Sequence, residues 1–268
     1  ELLNNAPNII AEASFNYNNN FCSIDILKND VDGLEIYEVK SSTAVKDIYL
    51  DDISYQVYVL IKLGYHIKKA SIVYLNGQYV RQGDLDLNKL FNIEDVTEKA
   101  FNKQDEIQNK LTEIEEYMKQ EIEPKQDIDK NCFKPYKCEF WEYCTRHLPE
   151  NNIFKIREMR EEQKIKLYKK GIYDFKDVLN EDINPKYKQQ VEFEVLNKSA
   201  ILDKEGIKNF LDKLYYPLYF LDFETYQQAI PRYDGIRPYM QIPFQYSLHY
   251  IQDENSEIQH KEFLAVAG

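Results

Sequence analysis

The 268-residue sequence carries 46 acidic and 34 basic residues, a net charge of −12, and 43% hydrophobic residues. Its 8 glycines and 9 prolines are too few for a collagen-like or disordered chain, and no apolar run reaches the roughly 18–20 residues that span a bilayer. The acidic excess argues against a histone-like, generally basic nucleic-acid binder. We therefore expect a soluble, cytoplasmic, globular protein without a membrane partner.

Residues 9–40 contain three strand-like runs separated by polar turns, which predicts β-strands joined by tight turns. The strands are expected at 9–15, 21–27 and 34–40. Residues 16–20 form the first turn, and Asp32-Gly33 lies in the second, where glycine supplies the positive φ that a tight hairpin needs.

A helix is predicted over 51–64 because apolar residues recur there at helical spacing. These residues are Ile53, Val57, Leu60 and Ile61. Asp51 or Asp52 can cap the helix and Gly64 ends it, after which residues 68–75 form another strand. The resulting β-β-β-α-β order indicates an α/β core.

In the second half of the sequence the predicted secondary structure changes from helix to a cysteine-rich loop with further helices, and then to strands. A long charged helix is predicted from 98 to about 123, followed by a cysteine-rich loop at 131–145 and mostly helical residues at 153–200. Three strands that resemble an antiparallel meander are expected at 218–223, 244–251 and 260–266. The sequence does not begin with Met and stops just after the last strand, so we expect it to be part of a longer protein.

Glu38 and Lys40 stand two apart in a predicted strand, so their side chains share a face, and Val39 between them is expected to face the core. Asp25 lies on the preceding strand, where a hairpin can bring its carboxylate beside Glu38. Adjacent carboxylates suit a hard cation such as Mg²⁺ or Mn²⁺, beside which Lys40 could orient or deprotonate an attacking water. Gln56 on the next helix could complete the site.

A Glu-x-Lys pair on a strand also fits an ordinary solvated face, and a short motif alone decides little. The surrounding residues favour the catalytic interpretation. Asp25 lies at hairpin distance, Ser41-Ser42-Thr43 follows directly, and the next helix carries Gln56.

These residues resemble the RecB-like branch of the PD-(D/E)XK nuclease superfamily over about residues 9–145. The segments that carry the resemblance are Cys22-Ser23-Ile24-Asp25-Ile26-Leu27, Tyr37-Glu38-Val39-Lys40-Ser41-Ser42 and Tyr55-Gln56-Val57-Tyr58. The resemblance implies that Asp25 and Glu38 bind metal, that Lys40 is catalytic and that Gln56 marks the fourth motif. Glu12 matches a frequent glutamate of the family and is a possible supporting residue.

Three cysteines, Cys132, Cys138 and Cys144, fall within 13 residues at C-x5-C-x5-C spacing. Thiolates that converge on one point are ligands for zinc or an iron–sulfur cluster. The C-x5-C-x5-C spacing is not that of a typical zinc finger. We therefore expect an iron–sulfur cluster of the 4Fe–4S kind, with zinc as the alternative and three free, partly buried cysteines as the other interpretation. RecB-like nucleases with such cysteines use the cluster to fasten the end of the domain to its beginning.

The fourth ligand of such a cluster is either Cys22 or a residue upstream of Glu1. Cys22 stands three residues before Asp25 on a strand and therefore points to the opposite face, which favours a packed core cysteine.

Asp222 and Glu224 stand two apart at the end of the apolar run 218–223, so they also share a face. The segment resembles the first motif of DnaQ-like (DEDD) exonucleases, whose RNase H-like domain holds two metal ions with such carboxylates. Residues 242–247 resemble the second strand of that fold. The resemblance is to an uncharacterised bacterial family in which a RecB-like nuclease continues into a DnaQ-like exonuclease. The resemblance implies that the remaining acidic ligands lie beyond Gly268.

The expected organisation is α/β. A restriction-endonuclease-like core, a mixed sheet flanked by helices, forms a RecB-like nuclease domain at 1–150 with its Cys-rich segment at 131–145. A helical connector follows at 151–212, and 213–268 form the first antiparallel strands of an incomplete DnaQ-like domain.

The expected function is metal-dependent hydrolysis of DNA phosphodiester bonds, as an exonuclease or directed at ends or single strands. RNA fits the residues equally well, because only a contact to the 2′-hydroxyl separates the two. The alternative is a noncatalytic nucleic-acid-binding or assembly module; the sequence specifies no protein partner in DNA repair or defence. A local basic groove is expected near Lys40, Lys62, Lys68 and Lys69.

Overall fold

A computed structural model describes residues 8–266 and has the predicted α/β class. Its first sheet has five strands in the order β1-β2-β3-β4-β5. The strands are β1 Ile9–Tyr17, β2 Asn20–Asp30, β3 Gly33–Lys40, β4 Ile67–Leu75 and β5 Phe91–Asp95. Strands β3 and β4 are parallel and the other neighbours are antiparallel, so the sheet is mixed. Strand β5 is an addition to the predicted series.

The helices of this part are α1 Asp47–Lys62, α2 Leu87–Leu90, α3 Thr97–Asn102 and α4 Gln104–Met118. Helix α1 begins at Asp47 with Lys46 as its N-cap, so the prediction that Asp51 or Asp52 caps it is wrong. The long helix predicted to reach about residue 123 is instead two helices that meet at Lys103, and the second ends at Met118.

The two predicted hairpin turns are present and tight. Asn18 and Asn19 both have positive φ and connect β1 to β2, a shorter turn than predicted. Gly33 has φ +133° at the start of β3, which confirms the predicted use of glycine there.

Helix α1 covers one face of the sheet and builds the main core. Ile53, Val57 and Leu60 are fully buried against strand residues such as Ile36 and Ile72. Each such side chain contributes about 1.5–3 kcal/mol by leaving water. Ile61, predicted to share this apolar face, is 37% exposed because the helix also packs on the side of Val59, which is buried.

Residues 120–213 form a second compact unit, and the described residues on either side, 8–119 and 214–266, belong to the first. Its helices are α5 Trp141–Thr145, α6 Glu161–Lys169, α7 Phe175–Val178, α8 Pro185–Val195 and α9 Lys204–Leu211. Ile153, Ile156, Val178 and Val191 are fully buried in a core of its own. The domain boundaries drawn from the sequence stay a prediction.

A three-stranded antiparallel sheet follows, as predicted for a meander. Its strands are β6 Leu218–Tyr226, β7 Ile242–Ile251 and β8 Gln259–Leu264. Across residues 8–266, the helices are all too short or too polar to cross a bilayer.

The β6–β7 loop, residues 227–241, packs against the connection between β4 and β5. Arg81 Nη1 donates to the carbonyls of Pro231 at 3.2 Å and Arg232 at 2.7 Å. Tyr239 from this loop packs with the buried Tyr79. The hydroxyl of Tyr239 also donates to the carbonyl of Ser41, one residue past the end of β3.

Candidate active site

Strand β3 positions Glu38 on the face that α1 covers. Leu34 and Ile36 are buried at alternate positions, and Glu38 continues this series at 6% exposure. Val39 is 40% exposed, so the prediction that it faces the core is wrong. Because Glu38 shares the covered face with Ile36, Val39 must point away from the helix.

Asp25 lies where the pairing between β2 and β3 stops. The last pair is Ile26 with Tyr37, so the next position in the register would place Asp25 across from Glu38. At that point Asp25 Oδ2 instead accepts a hydrogen bond from the Val39 amide at 2.6 Å. The end of the ladder therefore holds the Asp25 carboxylate at the strand that carries Glu38.

The Glu38 carboxylate is held by two donors. Lys40 Nζ donates to Oε1 at 2.5 Å, and Gln56 Nε2 on α1 donates to Oε2 at 2.7 Å. Lys40 Nζ also donates to Asp52 Oδ2 at 2.6 Å. The structure thus brings together Glu38, Lys40 and Gln56, as the sequence predicts, and adds Asp52.

Sequence reasoning assigned Asp52 only a capping role. The signal that could have identified it is its spacing from Gln56, because residues four apart on a helix share one face. Any helix that directs Gln56 at Glu38 also directs Asp52 toward the end of β3.

The electrostatic environment keeps Lys40 as a cation. Burial acts to lower the pKa of Lys40, but the hydrogen bonds to Asp52 and Glu38 outweigh it, and the pKa lies above its ordinary value. Burial raises the pKa of Glu38, against the opposing hydrogen bonds from Lys40 and Gln56. Lys40 in this arrangement can donate hydrogen bonds and attract negative charge, but it has no free electron pair to accept a proton.

The donor atoms near Glu38 suit a hard cation. Asp25 and Glu38 supply carboxylate oxygens, and Gln56 Oε1 is a buried amide oxygen without a hydrogen-bond partner among the described residues. Mg²⁺ is commonly held by one or two carboxylates together with waters. Within residues 8–266 no three His, Cys, Asp or Glu side chains converge as a metal-binding group. The donors near Glu38 that could hold a cation are therefore Asp25, Glu38 and the Gln56 amide oxygen, together with water.

Glu12 lies on β1, next to the strand that carries Asp25. Since Ala11 pairs with Ile26 and Ala13 with Ile24, Glu12 is across from Asp25 in the β1–β2 register. Its φ is +52°, a conformation that costs of order 1–3 kcal/mol for a non-glycine residue. The side chain is exposed and accepts a hydrogen bond from Ser23 at 3.3 Å.

The predicted basic groove near Lys40, Lys62, Lys68 and Lys69 is wrong. Strands β3 and β4 are parallel, with Lys40 at the carboxyl end of one and Lys68 and Lys69 at the amino end of the other. An offset of about five residues separates these ends by roughly 17 Å. Lys68 is also ion-paired with Asp30 at 2.8 Å, and Lys62 donates to an amide oxygen.

The Cys-rich segment, predicted to be a loop, lies in the second unit and ends in helix α5, which contains Cys144. The Cys138 amide donates to the Cys132 carbonyl at 2.9 Å, and the Cys144 amide donates to the Phe140 carbonyl at 2.9 Å. All three cysteines are partly buried and carry free thiols. The described residues do not bring the three thiols together as a metal-binding group, and the iron–sulfur cluster stays a prediction.

Cys22 is 5% exposed and packs with Tyr58, Val59 and Ile107. This confirms that it is a core cysteine. Burial raises the pKa of the Cys22 thiol to about 11.

Asp222 and Glu224 lie on β6, and both are exposed. In the register Asp222 is paired with Ser247 and Glu224 with Gln245, so the two carboxylates occupy one face, as predicted. A register shift follows directly after Glu224. Their role as metal ligands stays a prediction.

Comparison with known proteins gives one match. Residues 219–268, which include all but the first residue of β6 and all of β7 and β8, match the family described as Domain of unknown function (DUF2779). No curated protein and no solved structure matches the chain. The match links Asp222 and Glu224 to that family and leaves residues 1–218 outside it.

Proposed function

We propose that the protein is a metal-dependent nuclease that hydrolyses DNA phosphodiester bonds, directed at ends or single strands. The observation that carries the proposal is Lys40, which lies between Glu38 and Asp52 at the end of β3, with Gln56 on the other oxygen of Glu38. An unrelated solvated face would not bury Glu38 at 6% exposure or surround it with these partners.

In this proposal Asp25 and Glu38 hold Mg²⁺ or Mn²⁺, and Glu12 supports them from β1. The cation, when bound, stabilises the charge that develops on the phosphate oxygens and lowers the pKa of a water. Lys40, as an ammonium, orients the attacking water or the phosphate by hydrogen bonding. Gln56 fixes Glu38, and Asp52 fixes Lys40.

The test measures degradation of labelled single- and double-stranded DNA with Mg²⁺, with Mn²⁺ and with a chelator. Asp25→Asn and Lys40→Ala are each expected to lower the rate about 100-fold or more. Lys103→Ala is the matched control, because Lys103 is also ion-paired, to Asp51 at 2.5 Å, and its side chain is 28% exposed against 21% for Lys40. Cleavage that persists in both site variants would refute the proposal.

A noncatalytic nucleic-acid-binding or assembly module is the second candidate. It is favoured by the ion pairs that Lys40 makes with both Glu38 and Asp52, since a fully paired lysine also serves a purely structural purpose. This candidate predicts DNA binding without cleavage in the unaltered chain, and no loss of binding in Asp25→Asn.

The predicted iron–sulfur cluster is a separate proposal with a separate assay. Iron and acid-labile sulfide measured after anaerobic purification are expected to fall together in Cys138→Ser. One zinc per chain without sulfide would support the zinc alternative instead.

A further inference from the structure

A polar cleft of about 610 Å³ lies beyond the carboxyl ends of β3 and β4. Its walls come from the loop after β3, the loop after β4 and the β6–β7 loop. The residues that line the cleft include Thr43, Gln78, Gln227, Arg237, Tyr239 and Gln241. Arginine is the only charged residue type among the described residues that line it, in a chain with a net charge of −12.

The cleft is close to the candidate active site. Thr43 stands three residues after Lys40, so their Cα atoms are at most about 11 Å apart. The loop between them is held on both sides: the Leu75 amide donates to the Ser42 carbonyl at 2.9 Å, and Tyr239 donates to the Ser41 carbonyl. The wall of the cleft is therefore continuous with the end of β3.

Arg237 is a cation without a counter-charge. Its side chain is exposed and makes no ion pair with any residue from 8 to 266. The acidic residue nearest in the loop, Asp234, is already engaged, since its Oδ1 accepts the Gly83 amide at 2.9 Å and lies 3.8 Å from Arg81. An unpaired arginine beside amide side chains is suited to an anion such as a phosphate, which its planar fork binds in bidentate fashion.

Tyr239 is held in a costly backbone conformation. Its φ is +58°, which is unusual for a bulky residue and persists only where the surroundings enforce it. The enforcing contacts are its amide, which donates to the Gln228 carbonyl at 2.9 Å, and its hydroxyl, which donates to Ser41. These contacts fix an aromatic ring in the cleft wall, where bases can stack on it.

We propose that this cleft binds the phosphodiester backbone of a single DNA strand and leads it to the candidate active site. Arg237 pairs with a phosphate, Gln78, Gln227 and Gln241 offer hydrogen bonds to phosphate and sugar oxygens, and Tyr239 stacks on a base. The inference rests on the proposed nuclease function and extends it, because it assigns the DUF2779-matching segment a part in binding the substrate strand.

The experiment measures binding separately from cleavage. In an Asp25→Asn background, fluorescence anisotropy follows a labelled single-stranded DNA of about 20 nucleotides across a range of salt concentrations. Arg237→Gln is expected to weaken binding about 5-fold and to reduce the slope of log K against log salt by about 0.7, the value for one lost phosphate contact. Arg232→Gln is the control, because Arg232 is exposed in the same loop but does not line the cleft.

The outcomes separate this inference from the proposed function. Equal affinity and slope in Arg237→Gln and Arg232→Gln, or no binding by the parent chain, would overturn the cleft proposal even if the chain cleaves DNA. Cleavage that persists in both Asp25→Asn and Lys40→Ala would refute the proposed active site. A loss of DNA binding confined to Arg237→Gln would still support binding of the strand in the cleft. A parallel arm with RNA of the same sequence shows which phosphodiester is preferred.

Discussion

Replacing Arg81 with alanine is expected to release the β6–β7 loop while the five-stranded sheet stays folded. The Arg81 side chain donates to three carbonyls, those of Gly83 at 2.8 Å, Pro231 at 3.2 Å and Arg232 at 2.7 Å. Two of these acceptors belong to the loop. Alanine would leave both without their donor.

The magnitude follows from these two hydrogen bonds. A charged donor contributes about 1.5–3 kcal/mol per hydrogen bond, and we reduce this to about 1 kcal/mol each because the Arg81 side chain is 24% exposed and water can replace it. The loop should therefore open more easily by about 2 kcal/mol, which is a factor of roughly 30 in the opening equilibrium.

Amide hydrogen exchange measures this opening directly. The Gly235 amide donates to the Arg81 carbonyl and the Tyr239 amide to the Gln228 carbonyl, so both are expected to exchange about 30-fold faster in Arg81→Ala. The Leu34 amide, which donates to His66 in the first sheet, should keep its rate. Arg232→Ala is the matched control. Unchanged exchange at Gly235 and Tyr239, or an equal acceleration at Leu34, would refute the reasoning.

Three further predictions concern single sites. With a pKa of about 11, only roughly one Cys22 thiol in a thousand is a thiolate at pH 8, so mass spectrometry after alkylation of the native chain should find Cys22 modified more slowly than the three other cysteines. Gly33→Ala should lower the melting temperature more than Gly64→Ala, because a Cβ at Gly33 would meet the His66 carbonyl at 2.7 Å whereas Gly64 has open space, and equal shifts would contradict the clash. Glu35→Ala should destabilise the chain by about 2 kcal/mol at neutral pH, since hydrogen bonds from a tyrosine and a lysine lower the pKa of Glu35. That stabilisation is present above the unfolded pKa and is lost as the pH falls below about 4.5, so the difference between Glu35→Ala and the parent in urea unfolding should shrink there.

The elements that local patterns specify were predictable from the sequence. Strands β1 to β4 and the meander follow from strand-like apolar runs bounded by polar turns, and the Asp32-Gly33 turn follows from the need for positive φ. Strand β5 was missed because Phe91–Asp95 is short and includes polar residues. It becomes a strand by pairing with β4, with Ile93 against Val73, and that pairing is a long-range contact.

The same distinction applies to the candidate site. That Glu38 and Lys40 share a face was predictable, because residues two apart on a strand point the same way, and Gln56 lies beside Glu38 as expected. The catalytic role of these residues and of Asp25 stays a prediction. The link between Lys40 and Asp52 was not recognisable, because it depends on where α1 begins and on how that helix packs over β3. The orientation of Val39 was predicted wrongly for a related reason, since the covered face of a strand is decided by the element that packs on it.

The position of Arg81 shows the limit of sequence reasoning most clearly. Two of its three carbonyl partners lie 150 and 151 residues away in the chain, and no local pattern connects them. The docked loop nevertheless places Tyr239 against Ser41, next to the strand end that carries Lys40. A segment that matches DUF2779 thus makes a hydrogen bond next to the end of the strand that carries Lys40.

If the protein is a metal-dependent nuclease as proposed, Glu38 and Asp52, the two carboxylates that Lys40 contacts, have different roles. Glu38 is buried and already accepts one hydrogen bond on each oxygen, so a divalent cation at Glu38 competes with the Lys40 ammonium for the same carboxylate. Two positive charges close together in a partly buried site repel strongly. Asp52, whose side chain is 40% exposed, offers Lys40 a second carboxylate outside that competition. Under this proposal Lys40 can yield Glu38 to the cation and remain paired with Asp52.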